Sequence, residues 1–401
     1  MPDQSPPLHL AAALDGAGWH PAAWREPDAR PARLLTAAYW ADLVAEAERG
    51  MLDLVTIEDS LSLQSEVFDG PDGRVDRVRG RLDALLIAAR IAPLSSHIGL
   101  LPIAVVTHTE PFHLSKAIAT LDYVSGGRAG VQVRVSGRRD EWAHFGRRVP
   151  PEMHPDNLDE PASRLAITDR FDEAADYVEV LRRLWDSWED DAEIRDAATG
   201  RFIDRDRLHY IDFTGRWFSV RGPSITPRPP QGQPIVAALA HRAEPYRLAA
   251  RAADIAFVTP HSVADARWII DEIRRAEADA GRGGEPVRVV ADLVVFLDET
   301  TTAAQDRKDR LDELAGAGYA SDAAIFTGTP AQLADLIGDW RAVGLAGFRL
   351  RPAVLPHDLA QITRGLVPEL QRRGAFRSAY HGDTLRTRLG LPRPASRYAS
   401  V

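Results

Sequence analysis

Ile98-Gly99-Leu100-Leu101-Pro102-Ile103-Ala104-Val105-Val106, followed by Pro111 to Val124, Ser125-Gly126-Gly127 and Ala129 to Val135, is the stretch that decides the fold. The first run is almost continuously apolar, as expected of a strand covered on both faces. Pro111 fits the first position of an amphipathic helix, and the Ser-Gly-Gly turn ends it. An apolar run then returns. Strand, helix and strand in this order predict a parallel pair joined by a helical crossover.

The same unit repeats in both directions along the chain. Upstream, Leu8 to Leu14 reads as a strand, a loop runs through Pro31, and Ala37, Trp40, Leu43, Val44 and Ala47 mark one face of a helix. Asp53 to Ile57 is the next strand, ending in Glu58-Asp59-Ser60, and Leu82 to Ile91 the next helix. Downstream, Phe171, Ala174, Val178, Leu181 and Trp185 share one face of a long helix. Pro234 to Leu239, Ile255 to Val258, Val287 to Leu297 and Gly347 to Leu350 follow as strands. Their helices are expected near 243–252, 262–280, 303–314 or 331–342, and 358–373. Eight units predict an α/β fold, a (β/α)8 TIM barrel over residues 1–374. Phe202, Tyr210, Phe213, Trp217, Phe218 and Val220 predict a hairpin inserted near 200–222, and residues 375–401 a C-terminal arm.

Composition narrows the chemistry. The 401 residues include no cysteine, which removes thiol nucleophiles, disulfides, iron–sulfur clusters and cysteine-bound zinc. Lys116 and Lys308 are the lysines among 49 basic residues, and no phosphate loop of the GK[ST] type is present. A net charge of -9 disfavours a nucleic-acid surface. No apolar run is long enough to span a membrane, and Met-Pro-Asp-Gln is a poor start for a secretory segment, so a cytoplasmic enzyme of small molecules is expected. G-x-S-x-G, G-x-G-x-x-G and H-E-x-x-H are all missing, and the 12 histidines include no H-x-H pair, so no metal site is expected.

In a barrel the site lies where strands end. Asp59 there either anchors a ligand N–H or caps the following loop. His108 either transfers a proton or donates to a ligand, or bonds to backbone. Strand alternation sets Gln132, Arg134 and Ser136 on one side of their strand. Arg134 then meets a ligand or forms a buried salt bridge with Glu58 or Asp59.

Further segments carry a resemblance. They are Leu8-His9-Leu10, Gly18-Trp19-His20, Trp24-Arg25, Ala47-Glu48-Arg49-Gly50, Glu110-Pro111-Phe112, Leu121 to Gly130, Phe145-Gly146, Arg170-Phe171, Leu184 to Trp188, Val220-Arg221-Gly222-Pro223, Pro230 to Pro234 and Leu248 to Arg251. In order and spacing the chain resembles the bacterial luciferase-like flavin monooxygenases, in the branch of two-component enzymes oxidising nitrilotriacetate and sulfones. The resemblance implies a barrel that binds reduced FMN from a separate NAD(P)H:flavin reductase and uses O2 to oxygenate a small organic substrate. It implies flavin contacts at Asp59, Thr107, Gln132, Ser136, Arg170 and Phe171.

The chain departs from the pattern at three places. Val131-Gln132 replaces the usual Trp-Asn, Arg170-Phe171 the usual Arg-Tyr, and Ala238-Leu239-Ala240-His241-Arg242-Ala243 the Gly/Ser loop that holds the FMN phosphate. His241 and Arg242 are expected to grip that phosphate instead. His108 is expected to hydrogen-bond the flavin or its bound oxygen, and Arg134 to contact substrate or flavin. The rival readings are an F420-dependent hydride-transfer enzyme and a noncatalytic flavin-binding barrel. Loops 16–35, 60–80, 138–169 and 190–222 are expected to set specificity, and the arm suggests a homodimer or homotetramer.

Overall fold

The computed structural model describes residues 7–65, 67, 70–149 and 155–399. Residues 66, 68–69 and 150–154 of the expected specificity loops, and the opening Met1 to Gln4, lie outside them.

Eight parallel strands form the staves: β1 (His9–Leu14), β2 (Leu54–Ile57), β3 (Gly99–Val105), β4 (Gly130–Arg134), β5 (Ile235–Ala240), β6 (Ile255–Val258), β7 (Arg288–Leu297) and β8 (Gly347–Pro352). Each pairs with the next, and β8 pairs back onto β1 with His9 opposite Gly347. The sheet is therefore a closed barrel. At that seam a Cβ on Gly347 would lie 2.1 Å from the His9 carbonyl oxygen, so the strands approach closely because residue 347 has no side chain.

The deciding stretch folds for the reasons its residues suggest. Helix α1 of this crossover (Pro111–Ser125) begins with Pro111 in its first turn and stops at Gly126, whose φ of 66° is left-handed. The N–H of Gly127 returns to the Asp122 carbonyl, which satisfies a terminal acceptor. Leu114, Ile118, Ala119 and Leu121 face the strands. Outside the barrel the longest helix is α2 (Pro161–Asp186).

Two features differ from the expectation. The insertion holds two small ribbons, Glu193–Asp196 with Arg201–Ile203 and Phe213–Thr214 with Ser219–Val220, in place of a single hairpin. A further strand, Ala324–Gly328, pairs with Leu293–Leu297 of β7 beyond the point where β6 has ended. It extends the wall without adding a stave.

The barrel interior runs from apolar to polar. Ala11, Leu54, Leu101, Ile235, Ala237, Ile255, Phe257 and Val290 fill its lower part, joined by Leu385, Leu389 and Leu391 of the C-terminal arm. The arm thus plugs the amino-terminal end of its own barrel. Arg386 fastens it, donating to the Gln233 carbonyl at 2.8 Å and to Asp254 at 3.0 Å. No helix among the described residues is long and apolar enough to cross a membrane.

Asp254 accepts from Arg182 at 3.1 Å and from the Val236 N–H at 2.9 Å as well. Burial works to raise its pKa, but Arg182 and Arg386 outweigh burial and pull it down to about 2. A lowered carboxylate stabilises the fold above its unfolded pKa of about 3.9, and that stability disappears as pH falls toward 2. Asp254→Asn should therefore cost on the order of 2 kcal/mol at neutral pH, with the gap to wild type closing below about pH 3. Urea unfolding across that range measures it; a gap that does not narrow would refute the assignment.

Candidate active site

Alternation along the strands aims a polar set at the carboxyl-side mouth. Thr56 and Glu58 come from β2 and the residue after it, Gln132 and Arg134 from β4, Asp292 from β7, and Arg349 and Arg351 from β8. Asp292 and Arg349 are register partners on neighbouring staves. Arg349 grips both oxygens of Asp292, through Nε at 2.8 Å and Nη2 at 2.5 Å, and its Nη1 donates to Gln132 Oε1 at 2.5 Å. Its guanidinium also stacks 3.9 Å above the Phe257 ring. Arg351 donates to the same Asp292 through Nε at 2.9 Å, reaches Asp322 at 2.6 Å, and lies 4.5 Å from the Trp19 ring. Two buried arginines thus share one buried aspartate, and Asp322 at the half-exposed rim balances the second.

Above this layer is a cavity of about 390 Å³. That volume lies in the range of small-molecule sites, roughly 300–1,000 Å³. Val133, Val135, Phe171, Leu239 and Leu248 give it apolar walls, and Gln132, Arg134, His241, Arg349 and Arg351 its polar groups. Because Arg349 occupies Gln132 Oε1, the amide N–H donors are what Gln132 offers the cavity. Arg134 donates through Nη1 to the Asp59 carbonyl at 2.8 Å and reaches Glu58 at 3.5 Å. Burial raises the Glu58 pKa, and Arg134 opposes the rise. A second cavity of about 350 Å³ adjoins the first, sharing Asp15, Trp19, Arg81 and Arg134 with it.

Gln132, Arg134, Phe171 and His241 therefore meet at one cavity, and other expected residues do not. Asp59 accepts from the Ser60 N–H at 2.8 Å and the Ala84 N–H at 2.9 Å, which is the cap reading. Ala238 and Ala240 face the outer helices, because only alternate residues of β5 point inward. Arg242 is exposed at the N-cap of the helix Ala243–Ala252. Ser136 donates its N–H to Thr107 Oγ1 at 2.9 Å, tying the ends of β3 and β4 together. Arg170 is buried over the Trp142 ring at 5.2 Å.

Thr107 and His108 face a different cavity, of about 400 Å³, which shares no lining residue with the mouth. His108 stacks on Phe145 at 4.9 Å, and its Nε2 stands 3.9 Å from Glu141. Burial lowers its pKa, with Glu141 pulling the other way, so the imidazole is neutral at pH 7.

The family model for luciferase-like monooxygenases matches residues 17–325. N-acetyl-S-(2-succino)cysteine monooxygenase of Bacillus subtilis (strain 168) is 30% identical, with 100% of each chain covered. The chain belongs to the luciferase-like monooxygenases. Nitrilotriacetate monooxygenase component A of Aminobacter aminovorans is 29% identical over 98% of each chain. The crystal structure of a long-chain alkane monooxygenase shares the fold, with a TM-score of 0.84, 23% identity and 96% of each chain covered. As a luciferase-like monooxygenase this protein is a flavin-dependent enzyme.

The mouth suits a flavin on chemical grounds. The amide donors of Gln132 suit the polar edge of the flavin ring system, and the valine, leucine and phenylalanine walls suit its apolar faces. Sequence reasoning gave no site role to Asp292, Arg349, Arg351 or Trp19, although Trp19, Arg349 and Arg351 stand at strand ends where the site was expected. The signal was present in Arg349-Leu350-Arg351, where alternation turns both arginines into the barrel, and in the lone acid inside the apolar run Val287 to Leu297.

Proposed function

We propose that this monooxygenase takes reduced FMN from a separate NAD(P)H-dependent flavin reductase and uses O2 to place one oxygen atom on a small organic substrate. The observation that supports the reading is a ligand-sized cavity on the barrel axis, with apolar side walls and the amide donors of Gln132 held in place over the Arg349–Asp292–Arg351 network. Reduced flavin supplies the two electrons that split O2, one atom going to the substrate and the other to water. The protein's part is placement: Gln132 donates from one edge, Phe171 and Leu239 exclude water, and Asp292 holds both arginines still. His241 and Arg242 hold the phosphate where β5 ends, in place of a glycine nest.

An anaerobic titration with reduced FMN and reduced F420 side by side, followed by admission of air, tests the reading. Tight binding of reduced FMN and rapid O2 consumption are expected. Preference for F420 without O2 consumption would point to hydride transfer, and flavin binding without turnover to a storage barrel. Arg242→Ala should weaken reduced FMN about 10- to 100-fold, the loss of one charge-assisted phosphate contact. Because Arg242 is exposed, stability should stay within about 0.5 kcal/mol of wild type. Unchanged flavin affinity would move the phosphate elsewhere.

A further inference from the structure

The second cavity, of about 350 Å³, opens beside the mouth and is walled by the loops after β1 and β2. Its lining brings Arg77, Arg81, Arg134 and Arg138 together against the carboxylates of Asp15 and Asp72. The lining thus sets four guanidiniums against two carboxylates in a chain whose net charge is -9.

These arginines are not equivalent. Arg81 is spent on Asp15, which it grips through Nε at 3.1 Å and Nη2 at 2.7 Å. Arg138 is spent on Asp140 at 3.2 and 3.1 Å and on the Gly70 carbonyl at 3.1 Å, holding the loop after β2. Arg134 makes its bonds through Nη1, and its Nε and Nη2 have no hydrogen-bond partner among the described residues. Its side chain is 45% exposed, and Glu58, its nearest carboxylate, is 3.5 Å away. It also lines both cavities, at the seam where a substrate would meet the flavin.

Resting on the flavin reading, we propose that the substrate is a small organic acid whose carboxylate is held by Arg134 through these two donors, with its body in the second cavity. A guanidinium edge of Nε and Nη2 matches a carboxylate bidentately, while a neutral substrate leaves that edge unpaired. Arg134 is thus a specificity residue, selecting anionic over neutral substrates.

Isothermal titration of the full-length protein with iminodiacetate, thiodiacetate and their dimethyl esters tests this. At least one acid should bind, its ester about 10-fold or more weaker. Arg134→Gln should weaken the acid about 10- to 100-fold, and Arg134→Lys should restore part of the loss without the full bidentate gain. Equal binding of acid and ester, unchanged affinity in Arg134→Gln, or no acid binding below about 10 mM would each overturn the proposal. Reduced FMN is titrated into the same proteins. If Arg134→Gln weakens the flavin as much as the acid, the residue belongs to the flavin and the proposal falls. If wild type binds the acid but no flavin, the flavin reading fails while the charge preference stands.

Discussion

Asp292→Asn is expected to destabilise the protein by about 3–5 kcal/mol, the cost of breaking a buried ion pair from one side. The substitution keeps the shape and removes the charge on which two guanidiniums depend. Arg349 and Arg351 are each about 1% exposed, so water cannot take over. Arg349 would remain over the Phe257 ring, which supports a cation but cannot replace a carboxylate. Denaturant unfolding of the flavin-free protein measures the loss, and near-native stability would show that the network is more solvated than its burial indicates. A second effect follows at the site, because Gln132 is oriented by Arg349 and loses its anchor when Arg349 moves. Arg351 keeps Asp322, so adding Arg349→Met to Asp292→Asn removes the stranded cation and should recover part of the stability.

Gly347→Ala should be comparably severe for a purely steric reason. Its Cβ would sit 2.1 Å from the His9 carbonyl oxygen and 2.8 Å from the carbonyl carbon. Both are backbone atoms of the adjoining stave, so no side-chain rotation relieves the overlap. The β1–β8 ladder must spread at the point that closes the barrel, and a loss of about 4 kcal/mol or more is expected. Gly338→Ala is the matched control: it lies on an exposed helix face with nothing within 4 Å, and should stabilise by up to about 1 kcal/mol. If the two substitutions behaved alike, the seam would not be as tight as described.

The staves were legible because each is buried on both faces and reads as an apolar run between turn signals. Ala324–Gly328 escaped notice for the opposite reason. It is short and largely half-buried, and it lies between two helical patterns that looked like alternatives, Thr301–Ala315 and Pro330–Arg341. The site was legible only in part. Gln132 and Arg134 stand out because a polar residue on an alternating strand points inward, whereas Asp292 is hidden in a long apolar run whose pairing with β8 is a property of closure. His108 shows the limit of strand-end reasoning. Its backbone leaves β3 at the correct end, but the side chain turns outward against Phe145 and Trp142, since three residues past a strand the alternation no longer fixes direction.

The leucines of the arm have a consequence for how the chain is made. Leu385, Leu389 and Leu391 complete an interior otherwise built from strands that begin at His9, so the first stave waits on a segment that follows the last stave in the chain. A nascent barrel holding every stave still shows solvent an unsealed apolar floor. The floor therefore closes only after every stave has been made, and removing these leucines acts as a core deletion.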